Sequence, residues 1–333
     1  MIEPAIDSFG RVHRSLRVSV TDRCNLRCKY CMPAAGLPFA PREELLTFEE
    51  ITFAVQVAVK LGIDRIRITG GEPLLRRDLQ DLIAMLSQET GLKDLAMTTN
   101  ALLLDRYAEP LARAGLNRLN ISLDSLRPDR FEQITRFGLL EKTLRGIEAA
   151  EEAGIRPIRI NTLLLEGFNE DEVDQWLDMI MVREIDVRFM ELMPVGEGAE
   201  LKRLGSYYNL TQLRKRLQEE RGLERADDLS SGQGKGNGPA RYWRLPGAKG
   251  RVGFITPISN SYCNTCSRMR LTSVGDLRAC LAFDEHLSIR DAIRARDEEE
   301  VIARFRQALH EKKAGHHWKE GQETVVGMSA LGG

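Results

Sequence analysis

Six cysteines divide into two triplets, Cys24-x3-Cys28-x2-Cys31 and Cys263-x2-Cys266-x13-Cys280, with none left over. Thiolates are soft ligands, and three of them on one short loop point to a metal site. Zinc is one occupant, but it needs a fourth ligand, and the nearest histidine, His13, lies on the far side of the strand expected just before Cys24. A 4Fe-4S cube normally takes four cysteines, so three would leave one iron open to an exogenous ligand, which is a catalytic arrangement. In the second triplet a hairpin turning near Gly275 would bring Cys280 back opposite Met269 or Arg270, beside the end of the Cys263-x2-Cys266 pair. The plainer readings are a zinc ribbon short of one ligand, a redox pair with an unrelated third cysteine, or unligated thiols.

Arginines accompany the thiols. Arg268 and Arg270 stand two apart on an expected strand, so they face the same way directly after two cysteines. Arg17, Arg67 and Arg159 fall inside expected strands as well. Charged side chains within the apolar strands of a parallel barrel are costly unless paired, and several aimed into one lumen would hold an anion. The chain carries 37 Arg against 11 Lys, and the guanidinium grips carboxylate or phosphate through a planar two-bond fork. A net charge of -1 excludes a general polyanion binder held by summed phosphate attraction, so no nucleic acid is expected and any basic site is local.

A regular scaffold must position these groups. Six strand-like runs, 16–21, 65–69, 95–99, 116–124, 158–165 and 185–192, are each followed by apolar residues at helical spacing, as in Leu79, Leu82, Ile83 and Leu86. Gly62, Gly91, Gly115 and Gly154 fall where those helices should stop. Repeated right-handed βα crossovers predict an α/β fold, a partial (βα)6 TIM-like barrel with ligands at the C-terminal ends of its strands. Residues 8–229 would form that barrel and 230–240 a flexible Gly-rich loop. Residues 241–333 would form a smaller α+β unit closing the barrel, with strands in RYWRL, RVGFIT, MRLTS and LRACL. A chain of 333 residues with 42% hydrophobic content can bury a substantial core. The sparse cysteines, the absence of a signal-like apolar start and of a membrane-length apolar run predict a cytoplasmic, reducing location without membrane insertion.

The string CNLRCKYC, with Tyr30 before the last thiol, resembles the signature of radical SAM enzymes, and Gly70-Gly71-Glu72-Pro73 after the second strand resembles the segment that holds the methionyl end of S-adenosylmethionine (SAM). The resemblance implies a 4Fe-4S cluster on Cys24, Cys28 and Cys31, whose open iron chelates SAM and whose electron cleaves it to a 5′-deoxyadenosyl radical. It further implies SAM contacts at Tyr30, Gly71, Ser122 in NISLD and Met193 in MELMPVG. With the second triplet, CSRMRL and the Gly332-Gly333 tail, the chain from about Ser15 to Gly333 is similar to the GTP 3′,8-cyclases of molybdenum cofactor biosynthesis. That similarity implies a second 4Fe-4S cluster on Cys263, Cys266 and Cys280 that anchors the purine of GTP, and GTP contacts at Arg17, Arg67, Thr98, Arg159, Arg268, Met269 and Arg270. It also implies a tail needed for turnover, a low-potential electron donor, and transfer of the product to the cyclic pyranopterin monophosphate synthase. Arg159 departs from a pattern that can carry Lys. The sequence leaves the oligomeric state open, a homodimer included. His316 and His317 show no partner at ligand spacing and read as surface residues. A radical SAM peptide maturase with an auxiliary cluster and a zinc-binding interaction module are the competing readings.

Overall fold

A strand whose alternate residues are apolar must turn one face to packed helices and the other to whatever the lumen holds. That pattern governs the computed structural model of the chain, which describes residues 3–196, 201, 205–226, 238–320, 324 and 328. The first half runs β1 (Ser15–Ser19), α1 (Phe48–Lys60), β2 (Arg65–Thr69), α2 (Leu79–Ser87), β3 (Asp94–Thr99), α3 (Leu104–Arg113) and β4 (Arg118–Ser122). It continues through α4 (Pro128–Thr135), α5 (Leu140–Glu152), β5 (Ile158–Leu163), the short β6 (Leu165–Glu166), α6 (Val173–Val182) and β7 (Ile185–Met190). The second half adds β8 (Ser206–Tyr207), α7 (Leu210–Arg221), β9 (Glu224–Arg225), β10 (Arg241–Arg244) and β11 (Val252–Ile255). It ends with β12 (Arg268–Leu271), β13 (Asp276–Arg278), β14 (Leu287–Ser288), α8 (Arg290–Arg294) and α9 (Glu298–His310).

The helices form for local reasons. Thr47 caps α1, its hydroxyl accepting from the Glu50 amide at 3.2 Å while the Glu50 carboxylate accepts from the Thr47 amide at 2.8 Å. The helix then buries Ile51, Ala54, Val55, Val57 and Ala58 against the sheet's outer face. There they meet Leu16, Val18, Ile66 and Ile68, all nearly inaccessible. Each such side chain contributes about 1.5–3 kcal/mol of apolar burial.

Strands β1, β2, β3, β4, β5 and β7 lie side by side and parallel, as the six-unit partial barrel requires. The C-terminal strands do not form a sheet of their own. Strand β11 pairs parallel with β7 and β12 pairs parallel with β1, so both bare edges of the six-strand run are covered within a single sheet of twelve described strands. An unpaired edge of a hydrophobic sheet is an aggregation template, which is the physical reason for the covering. The β12–β13 hairpin forms as expected, turning through Gly275 at φ +89°, but in a different register. Arg270 faces Arg278, so Cys280 returns level with Arg268 rather than with Met269 or Arg270.

Candidate active site

Because β12 runs parallel to β1, Cys263 and Cys266 precede the N-terminal end of the strand run, and the antiparallel β13 carries Cys280 back to that same end. The Cys24 triplet follows β1 at the opposite, C-terminal end. The expectation that ligands gather only at the C-terminal ends is corrected: the two thiol sites lie at opposite ends of one lumen. All six cysteines line a single cavity of about 250 Å³. All six are free thiols.

The Cys24 loop is held from two sides. The Gly71 amide donates to the Thr21 carbonyl at 2.7 Å and the Glu72 amide to the Arg23 carbonyl at 2.8 Å. A Cβ on Gly71 would stand 2.3 Å from the Arg23 oxygen, so only glycine permits this approach. From α4, the carbonyls of Ile134 and Thr135 accept the amides of Lys29 and Arg27, and Arg136 Nη1 donates to the carbonyls of Arg27 at 2.6 Å and Met32 at 3.1 Å. Glu72 ties the ends of β2 and β3 together, accepting from Thr99 Oγ1 at 2.8 Å and from the Asn100 amide at 2.8 Å. Asn100 Nδ2 in turn donates to Asn25 Oδ1 at 2.8 Å. Tyr30 donates to Asp124 Oδ2 at 2.8 Å, and Asp124 Oδ1 accepts the Leu163 amide.

Burial dominates the titration of this end. It lifts Glu72 to about 7 and Asp124 to about 6, raises Cys24 to about 11 and pushes Cys28 well up, so the metal-free loop holds protons. At the other end burial also works to raise Cys266, but Arg268 and then Lys312 beside it pull the thiol down to about 6. Arg268 stacks over Tyr262, 4.9 Å from the ring centroid, and reaches Cys266 Sγ at 3.7 Å.

Between the two ends lies the arginine set. Register places Arg270, Arg17 and Arg67 side by side across β12, β1 and β2. Adjacent like charges in a sheet repel, and burial followed by the neighbouring arginines disfavours the charged form of Arg17 and Arg67. Buried polar atoms without partners converge on the same lumen: Nε of Arg67, Arg188 and Arg270, Thr98 Oγ1 and Asn161 Oδ1. The only carboxylates lining the cavity among the described residues are Glu72 and Asp124, both biased by burial toward their neutral forms. The lumen is therefore built for a multiply charged anion.

Of the residues singled out by sequence, Arg17, Tyr30, Arg67, Gly71, Thr98, Ser122, Met193, Arg268 and Arg270 line the cavity together with the six thiols. Two do not. Arg159 lies 3.5 Å from Asp186, which Arg251 also grips, and Met269 is fully buried on the opposite face of β12 among apolar residues. Gly332 and Gly333, and most of the 230–240 loop, lie outside the described residues. Sequence reasoning missed Arg188, although it carries the same signal as Arg17, a charge inside an apolar strand. His316 is corrected from a surface residue: it lines the cavity, stacks on Trp318 at 4.0 Å and lies 3.0 Å from the Pro257 carbonyl through Nε2. His13 lies 3.0 Å from Asp7 and so has a carboxylate partner rather than a thiol site.

The residues fit iron–sulfur clusters. Among the described residues no three His, Cys, Asp or Glu side chains converge as ligands of one ion do. Each triplet instead offers three soft thiols to one cavity, the donor type that a 4Fe-4S cube takes.

Residues 18–180 match the Radical SAM superfamily, and residues 185–318 match the family described as Molybdenum Cofactor Synthesis C. A GTP 3′,8-cyclase of Heliobacterium modesticaldum is 46% identical over 313 residues, 94% of each chain. That of Petrotoga mobilis is 43% identical, over 98% of this chain and all of its own. Among solved structures, Streptococcus suis SuiB bound to its precursor peptide SuiA superposes with a TM-score of 0.62 at 16% identity, covering 96% of this chain and 76% of that one. At such identity the likeness concerns the fold alone.

Proposed function

The chain belongs to the GTP 3′,8-cyclases, radical SAM enzymes that act on GTP in molybdenum cofactor synthesis, and from that premise we propose which of its residues do the work. Cys24, Cys28 and Cys31 would hold a 4Fe-4S cluster that, with SAM, would supply the radical chemistry converting GTP to 3′,8-cyclo-7,8-dihydro-GTP. Tyr30, Gly71, Ser122 and Met193 hold SAM at that end of the lumen. Arg17, Arg67 and Arg270, joined by Arg188, grip the triphosphate, and Thr98 orients the nucleoside. Arg268 bridges the two functions, since its guanidinium reaches both Cys266 and the cavity. Cys263, Cys266 and Cys280 would hold the second cluster, which would offer an anchoring point for the purine. Met269 would act through its backbone, and Arg159 by fixing Asp186 rather than by touching phosphate.

The observation that carries this assignment is the file of arginines lying between two thiol triplets in one cavity. A ligand held at both ends must itself be anionic and extended, as a nucleoside triphosphate is. The functional divisions are residues 8–229 for the barrel, 230–240 for the loop, and 241–333 for the second cluster, substrate and a Gly332-Gly333 tail that serves turnover. A low-potential donor feeds the first cluster, and the product passes to the cyclic pyranopterin monophosphate synthase. Six free thiols and oxygen-sensitive clusters suit a reducing cytoplasm, and no described helix is long and apolar enough to cross a membrane. The enzyme would work there as a monomer or homodimer. Anaerobic incubation of the reconstituted chain with SAM and reductant tests the reading. 5′-Deoxyadenosine should form with GTP and cyclised product accumulate; equal yield with and without GTP would sink it.

A further inference from the structure

The second thiol site has a feature that substrate binding does not account for. The β12–β13 ladder stops at the Arg270–Arg278 pair, just before Cys280 must come level with the residues that follow Cys266. At that open end the Lys312 ammonium acts as a further rung. Its Nζ donates to the carbonyl of Arg268 at 2.8 Å and to that of Ala279, one acceptor from each side of the hairpin. Lys312 is 4% exposed, and no carboxylate pairs with it among the described residues. The titratable groups that act on it most are the thiols of Cys266 and Cys280 and the guanidinium groups of Arg11 and Arg268, and His13 lies within its field as well. Its backbone is anchored as well. Arg11 Nη2 donates to the Lys313 carbonyl at 2.8 Å, while Nη1 donates to the carbonyls of Ala314 at 2.7 Å and Cys263 at 2.9 Å. Arg11 is neutralised by Asp7 at 2.5 Å, which leaves Lys312 as the uncompensated cation of the pair.

A buried ammonium satisfied only by carbonyls is costly unless an anion faces it. The anion available here is the thiolate set. Resting on the assignment of Cys263, Cys266 and Cys280 as cluster ligands, we propose that Lys312 is a positioning residue of the second cluster. It sets Cys280 level with the Cys266 loop and keeps a positive charge against the thiolates, which favours the reduced cluster and its retention. Potential and affinity at such sites follow net charge and the partners that orient the ligands.

Lys312→Met keeps the length of the side chain while removing the charge and both hydrogen bonds; Lys312→Arg keeps the charge. In the reconstituted holoenzyme the second cluster is recognised as the EPR signal that responds to GTP. In Lys312→Met that signal should titrate at a more negative potential than in wild type, and its iron should be lost to a chelator about 10- to 100-fold faster. Lys312→Arg should recover most of the potential, and the SAM-responsive signal should stay unchanged in both. If Lys312→Met fails to assemble, the same comparison is made with Lys312→Gln. A wild-type chain with two clusters, and a variant whose potential and iron retention match it, would overturn the inference alone. A wild-type chain holding one cluster would overturn the ligand assignment and the inference together.

Discussion

Single side chains here carry costs that only a ligand offsets. Arg67 is the clearest: its Nε is buried without a partner, and its nearest neighbour on β1 is another arginine. Replacing it with Met removes like-charge repulsion, so the cluster-free chain should unfold at the same temperature as wild type or higher. GTP affinity should fall by about 1.5–3 kcal/mol for the lost charge-assisted contact. Calorimetry of the apo chain and titration with GTP separate the two effects, and an Arg67→Met chain that binds GTP normally would remove Arg67 from the site. Glu72 gives a test in pH. Its folded carboxyl holds a proton up to about 7 because it is buried, against an ordinary value of 4.5. A raised value means that the stability it contributes is complete below about 4.5 and is lost as pH climbs through about 7. Glu72→Gln stays neutral throughout. Between pH 5 and 8 the stability of the metal-free wild type should therefore drop by about 2–3 kcal/mol relative to the variant. Asp124, present in both chains, cancels. A difference that stays flat over that range would show that Glu72 does not titrate in this way.

At the scale of elements, the thiol loop is held on one side by the turn after β2, which lies directly against it. Gly71→Ala forces a Cβ into the Arg23 carbonyl, so the Cys24 loop must move while the Cys263 loop, at the other end of the lumen, need not. Iron analysis after reconstitution should find about four irons per chain rather than about eight, with SAM binding lost. Eight irons and normal SAM affinity would mean that the loop tolerates the shift. Much of this was legible beforehand. Strand-like runs with helical spacing between them placed β1, β2, β3, β4, β5 and β7 within a few residues, and charges within those strands announced the lumen. What was hidden depends on pairing across long sequence separations. The hairpin register, and with it the level of Cys280, follows from Arg270 meeting Arg278, which strand periodicity does not specify. His316 read as a surface residue because it lies in a polar stretch after α9, and the return of that stretch toward the Pro257 carbonyl half-buries it, as it buries Lys312 against the hairpin. Pairing also decides the place of Arg159: it lies within β5 as expected, but beside Asp186 on the neighbouring strand rather than on the cavity wall.

Across the whole molecule, the division of function does not coincide with a division of stability. The proposed barrel region spans residues 8–229, yet β1 and β7 are completed by β12 and β11 from the far end of the sequence. Each added strand also closes a wall of the lumen, since Arg270 extends the row of Arg17 and Arg67. The segment before β1 works the same way, Arg11 reaching the Cys263 carbonyl across a sequence separation of 252 residues. A fragment of residues 1–226 should thus expose two long apolar edges and form soluble aggregates or precipitate. Co-expression with residues 238–333 should return a soluble, cooperatively unfolding complex, and the intact chain should unfold in one calorimetric transition with or without its clusters. A monomeric 1–226 fragment that melts cooperatively alone would show instead that the barrel is a self-sufficient domain. The arginine lumen would then be assembled by docking rather than by folding.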